Sequence, residues 1–234
     1  MASSFTYASS ELDAMASAPN YYQAILSFFQ PHLGRSVLEV GAGIGTFSAL
    51  LAGAPGVEQL GLLEPAGNNY PLLRERFAHD PRVRAVHGYL EQHTADFSVD
   101  SVVTVNVLEH VPDDAAFLRA ARSVLRPGGR LLIFVPALPA IYGSLDTVFE
   151  HHRRYTRRTL RAALEGAGFG VPVLRYVNLP GVLAWFVTGR VLRKKTLNPR
   201  DVATYDRLVI PWLMKLERHW SPPLGQSLLA VAQA

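Results

Sequence analysis

Between residues 36 and 135 short apolar runs alternate with segments whose apolar positions recur every three or four residues. The runs at 36–40, 59–63, 83–86, 101–105 and 130–135 read as strands, and the segments at 46–52, 68–78 and about 113–125 as helices. Pro112-Asp113-Asp114 suits a helix start, and Arg126-Pro127-Gly128-Gly129 reads as the turn before the fifth strand. Apolar strands alternating with amphipathic helices predict a parallel, doubly wound α/β sheet. Ligands then sit at the carboxyl ends of its strands.

The flanks follow another pattern. Residues 9–31 read as a helix through Leu12, Met15, Ala16, Tyr22, Ile25, Leu26 and Phe29, interrupted at Pro19-Asn20 and closed by Pro31. Asn20, Tyr21 and Tyr22 are placed to cover the cleft, unless this helix only packs on the sheet. After Pro136 come a loop (137–150), a helix (156–166), a strand (169–176), apolar helical residues 179–192 and a helix over 200–219. Ser221-Pro222-Pro223-Leu224-Gly225 reads as a hinge and 227–232 as a last strand. At 14 residues the apolar helix is too short for a bilayer, which needs about 20. The expected organisation is one domain over 1–234. It has a helical cap (1–34), an α/β core (35–177), a helical lid (178–225) and a closing strand (226–234). The lid would carry Trp185, Phe186, Trp212 and Trp220.

Composition narrows this. Hydrophobic residues make up 49% and charged residues 18% of 234, enough for a full core, and with no cysteine there are no disulfides or thiolate metal sites. Residues 1–13 show no leader pattern, so a cytoplasmic location is expected. The net charge of +4 conceals an asymmetry. Residues 1–150 hold nine Lys and Arg against fifteen acids, whereas residues 151–234 hold fourteen against four. A basic half suits nucleic acid, an anionic membrane surface or an anionic substrate, or is merely a solvated surface.

The chemistry concentrates at Glu39-Val40-Gly41-Ala42-Gly43-Ile44-Gly45, where a strand meets a helix start. A dinucleotide fingerprint would need its third glycine at Thr46, and Glu39 would repel a pyrophosphate. S-adenosylmethionine has no phosphate, and its sulfonium and ammonium suit an acid. The run resembles the first motif of class I S-adenosylmethionine-dependent methyltransferases. That resemblance implies a seven-stranded Rossmann-like sheet ending in an antiparallel hairpin, with 35–177 as the cofactor-binding core and 178–225 inserted between the hairpin's two strands. It also implies a cofactor loop at Gly41, Gly43 and Gly45, with Glu39 toward the methionine end. Glu64, followed by Pro65, stands about twenty residues on, at the end of the second strand, and matches the acid that accepts both ribose hydroxyls. Asn106-Val107-Leu108-Glu109-His110 resembles the segment beside the methyl donor in small-molecule methyltransferases. The backbone at Asn106 and Val107 would face the cofactor, and His110 is either a cleft residue or a helix-start residue. Where the family places an adenine-binding acid, this chain has Tyr89, so adenine is expected to stack there or meet the backbone of Tyr89 and Leu90. Tyr21 completes the expected cofactor set.

A second dense run, Asp146 to Arg158, resembles the D-x4-H-x-R-R-Y segment of a bacterial methyltransferase subgroup. His151, His110 and Tyr155 are candidate bases, with Asp146 orienting His151. A base is needed only if the acceptor holds a high-pKa proton. Arg153, Arg154, Trp185 and Tyr22 are the expected substrate contacts. No histidine pair at i and i+4 suggests a metal, and none is expected. The expected reaction is methyl transfer to a small apolar or lipid-like molecule carrying an anion, such as a prenyl phosphate, with peripheral membrane contact compatible. An RNA or protein methyltransferase docking through the basic half, and a non-catalytic interaction protein, are the rivals.

Overall fold

The structure is a computed structural model that describes residues 6–7 and 14–234. Its centre is one seven-stranded sheet in the order β3-β2-β1-β4-β5-β7-β6. The parallel strands are β1 (Ser36–Val40), β2 (Gln59–Glu64), β3 (Val83–His87), β4 (Val99–Val105) and β5 (Leu125–Pro136). The antiparallel ones are β6 (Gly170–Val177) and β7 (Ser227–Gln233), and β7 lies between β5 and β6. This is the class I methyltransferase Rossmann-like fold.

Both faces are covered, so the central strands are mostly apolar; all five residues of β1 are buried, Ser36 and Glu39 among them. One face packs α1 (Pro19–Phe29), α2 (Thr46–Ala52) and α3 (Tyr70–Arg76) through Phe29, Phe47, Leu51 and Leu73. The other packs α4 (Asp114–Ser123) and α6 (Arg157–Gly166) through Phe117, Leu118, Leu160 and Leu164. Strand order reverses between β1 and β4, which opens the ligand crevice where Gly41 and Asn106 stand.

Several local expectations change. Of the helix expected from residue 9, the part at 9–13 lies outside the described residues. The expected interruption is present at residues 16–18, and Pro19 then opens α1, because the first helical turn needs no N–H there. Residues 126–129 form an irregularity within β5, not a turn before it. Leu125 already pairs with Val99, pairing resumes at Arg130 with Ser101, and Gly128 takes φ +77° between them. The loop over 137–150 contains a short helix, α5 (Ser144–Val148).

The insertion between β6 and β7 holds three helices. Helix α7 (Leu179–Phe186) widens into a π turn at Val187–Val191, and the expected second helix is two, α8 (Pro199–Leu208) and α9 (Ile210–His219). Pro211 near the start of α9 lacks the N–H that would continue α8, so the chain breaks there. Two buried carboxylates fasten the insertion to the core. Asp206 accepts the N–H groups of Asn20 (3.1 Å) and Tyr21 (2.7 Å), capping α1, which has no side-chain cap of its own. Glu217 accepts those of Asn178 (2.8 Å) and Leu179 (3.1 Å) at the start of α7. Charge-assisted bonds at helix N-termini are favourable on both counts.

Candidate active site

The glycine run forms a turn from β1 into α2. Gly41 and Ala42 donate to the Leu63 carbonyl (2.8 and 3.0 Å), which ties the loop to the end of β2. Gly41 has φ +76°, and a Cβ there would stand 2.4 Å from Cγ2 of Val107, so the backbone passes the β4 loop with no room for a side chain. Glu64, 4% exposed, accepts the N–H of Gly43 at 2.7 Å and that of Ala66 at 2.9 Å. Burial raises its pKa while those two N–H groups and the Asn69 side chain oppose the shift. Glu39 is buried beneath the loop and accepts from the Ser48 hydroxyl. Burial pushes its pKa up to about 8, the Ser48 bond lowers it, and the charge of Glu64 adds to the rise. A bound cation nearby would favour the ionised form. A backbone cradle closed to side chains, with two buried carboxylates behind it, fits S-adenosylmethionine.

Around this cradle, Pro65 is partly buried and its carbonyl lies 3.1 Å from Nε2 of His87. The Tyr89 side chain is 47% exposed, while Leu90 is fully buried in the core beneath it. Tyr89 is therefore the surface on which a flat group could lie, and Leu90 has only its backbone to offer. Asn106 takes φ +52°, a strained conformation outside glycine, and donates its N–H to the Phe134 carbonyl at 2.8 Å. The Tyr21 ring packs edge-on against Phe134.

Asn106 and Tyr21 also line a cavity of about 320 Å³. It opens beyond the ends of β4 and β5 and is roofed by α7 and α8 of the insertion. Its walls are mostly apolar, with His151, Glu109 and Arg154 on one side and Tyr205 on another. A pocket of this size suits a small molecule.

The D-x4-H-x-R-R-Y run supplies the cavity's polar wall through one hub. Asp146, fully buried, accepts from Nδ1 of His151 (2.9 Å), Nε of Arg154 (2.6 Å), Nε1 of Trp185 (3.0 Å) and the Gly143 N–H (2.9 Å). Burial alone would raise its pKa, but the His151 bond, the Arg154 charge and the remaining donors outweigh it, and the net shift is downward. Arg154 is 4% exposed, gives Nη1 to the Ala137 carbonyl at 2.8 Å, stacks 4.7 Å above the Trp185 ring and has no acceptor for Nη2 among the described residues. The His110 ring meets His151 edge-on at 4.8 Å. Burial, then the neighbouring His151 and His152, press the pKa of His110 down to about 3, so it is neutral.

Of the expected catalytic and substrate residues, His110 and Asp146 do not line the cavity themselves but contact its His151, and three others lie away from it. Tyr155 is buried among core residues, with its hydroxyl on Asp114 (2.9 Å) and its pKa raised by burial and then by that carboxylate. Arg153 turns outward, to Asp114 at 2.9 Å and the Pro112 carbonyl at 2.6 Å. Tyr22 packs on Phe47 behind the glycine loop. Strand pairing decides the first two, because Tyr155 forms an isolated bridge with Ala137 that faces adjacent side chains to opposite sides. Tyr22 follows Tyr21 on a helix, so only one of them can face the cleft. Conversely Glu109, Asn178 and Tyr205 line the cavity without having been singled out. Tyr205 gives its hydroxyl to Oδ1 of Asn178 at 2.7 Å, a contact 27 residues apart that no spacing rule signals. Glu109, His110 and His151 each bring a ligating atom within 4.8 Å of the others, a group able to hold a cation. It draws on two segments, which a search for histidines at i and i+4 does not find.

A methyltransferase domain family matches residues 15–172, about two thirds of the chain, including the glycine loop, Glu64, the β4 segment and the Asp146 run. The chain belongs to that methyltransferase domain family. Such a domain takes its methyl group from S-adenosylmethionine, and the cradle fits that cofactor. A Mycolicibacterium smegmatis protein named "Probable S-adenosylmethionine-dependent methyltransferase" is 36% identical over 59% of this chain and 53% of its own length. The "Ubiquinone biosynthesis O-methyltransferase" of Xylella fastidiosa is 33% identical over 44% of this chain and 42% of its own. The chain thus spans about half the length, or less, of these curated relatives. The solved S-adenosylmethionine-dependent methyltransferase of Mesorhizobium loti superposes with a TM-score of 0.61, covering 92% of this chain and 98% of its own. At 16% identity that likeness is one of fold.

Proposed function

We propose that the chain transfers the methyl group of S-adenosylmethionine to a small molecule with an apolar or lipid-like body, bound in the cavity beneath the insertion. The observation that carries this reading is the cavity itself, apolar in most of its lining and bounded by Asn106 and Tyr21, residues expected beside the cofactor. The small-molecule enzyme among the relatives, acting in ubiquinone biosynthesis, supports it. The cofactor supplies an electrophilic methyl group. The protein supplies alignment, water exclusion and a proton acceptor if the acceptor atom needs one.

His151 fits that last role best. Asp146 holds its Nδ1 side, which sets the tautomer and orients the ring, and its burial keeps water from competing. Arg154 Nη2 is the donor for an acceptor oxygen. The anionic group expected of the substrate loses part of its support, since Arg153 faces away and Arg154 is paired with Asp146. A neutral or phenolic acceptor oxygen suits this balance better than a phosphate.

Ala184→Trp tests the placement, because Ala184 is on the cavity wall and away from the glycine loop. Filling the cavity is expected to lower methyl transfer at least tenfold, in keeping with the sensitivity of aligned reactions to displacement of about 1 Å. S-adenosylmethionine binding, read by calorimetry, stays unchanged. Full transfer activity in this variant would place the acceptor elsewhere.

A further inference from the structure

Ten of the thirteen large apolar side chains exposed among the described residues fall within residues 178–225. On α9 they recur every four residues, with Trp212 72% and Leu216 59% exposed, while Ile210 and Leu213 on the opposite side pack on Ala24 of α1. On α7 and its π turn, Leu183, Val187 and Val191 recur in the same way, 68%, 37% and 60% exposed. Each stripe exposes neighbouring apolar side chains on one side of its helix, unlike the singly scattered apolar residues of an ordinary surface.

The charges of the same unit are equally one-sided. It carries eight Lys and Arg and three acids. All eight cations are exposed, whereas Asp206 and Glu217 are buried as helix caps, which leaves Asp201 as the outward acid. Arg193, Lys194 and Lys195 follow directly after the apolar run at 179–192, and Lys215 lies 5.1 Å over the Trp212 ring. Tryptophan and leucine flanked by lysine and arginine suit a lipid–water interface, where rings sit at headgroup level and ammonium groups meet anionic lipid. No helix among the described residues is long and apolar enough to cross a membrane.

We propose that the outer face of residues 178–225 docks on the surface of an anionic lipid bilayer. The inner faces of the same helices roof the acceptor cavity, through Ala184, Trp185 and Thr188 of the first segment and Val202 and Tyr205 of α8. Docking therefore sets the roof of the cavity against the bilayer, a route for an apolar acceptor dissolved in lipid. This deepens the reading of a lipid-like substrate and rests on it. A nucleic-acid surface would use the same cations but has no use for isolated leucines and valines between them.

Co-sedimentation of the full chain with vesicles of phosphatidylcholine, with and without phosphatidylglycerol, tests the proposal. Wild type is expected to partition at least tenfold more strongly onto the phosphatidylglycerol vesicles, with the difference shrinking as salt rises. Trp212→Ser combined with Leu216→Ser, and separately Lys194→Glu combined with Lys195→Glu, are each expected to lower partition tenfold or more. Their S-adenosylmethionine affinity should match wild type, which shows that they fold and keeps the methyltransferase reading separate from this one. Equal sedimentation with both vesicle types, undiminished partition of the variants, a gel shift on RNA tighter than vesicle binding, or a homodimer that the apolar variant dissolves would each overturn the proposal.

Discussion

Asp146→Ala is expected to lower the melting temperature by roughly 6–20 °C and to abolish methyl transfer. The change leaves the Arg154 guanidinium, whose side chain is fully buried, without its counter-charge, and removes the acceptor of His151, Trp185 and Gly143. Breaking a buried pair by deleting one partner costs about 3–5 kcal/mol. In a chain of this size each kcal/mol is worth about 2–4 °C. Asp146→Asn keeps the shape and one acceptor oxygen and should fall between the two. Thermal melts by circular dichroism read the first effect, and a fall under ~2 °C would show that the hub is not what holds this wall together.

Glu64→Ala is expected to weaken S-adenosylmethionine binding by about 10²–10⁴-fold. Two hydrogen bonds from a diol to an ionised carboxylate are worth about 1.5–3 kcal/mol each, and 1.4 kcal/mol is a factor of ten. Alanine would also leave the Gly43 N–H without its acceptor, loosening the loop that forms the cradle. Calorimetry checks this directly. A dissociation constant within threefold of wild type would mean that Glu64 only props the glycine turn.

The two effects differ in how far sequence alone could foresee them. The cradle is local. Gly41, Gly43, Gly45 and Glu64 belong to one strand–helix–strand unit, so their spacing along the chain fixes their spacing in space, and the alternation of apolar strands and helices fixes where that unit stands in the sheet. The acceptor wall is not local. Asp146, His151 and Arg154 are close in sequence, but whether Tyr155 or Arg154 faces the cavity depends on the bridge of Tyr155 to Ala137, and the Trp185 and Asn178 partners come from beyond β6. The run of helix through residues 200–219 failed at Pro211 because apolar periodicity continues across a break that the missing N–H imposes. No local pattern marks Asp206 and Glu217 as caps; the docking of the insertion on the core buries them against the starts of α1 and α7.

On the proposed reading, methyl groups leave the cradle for an apolar small molecule in the adjoining cavity. Incubating the protein with cell extract and methyl-labelled S-adenosylmethionine, then partitioning the products between organic solvent, RNA and protein fractions, tests it most directly. Label in an organic-soluble molecule, absent with Glu64→Ala, is the predicted result. Label confined to RNA or protein, or none above the Glu64→Ala background, would contradict it.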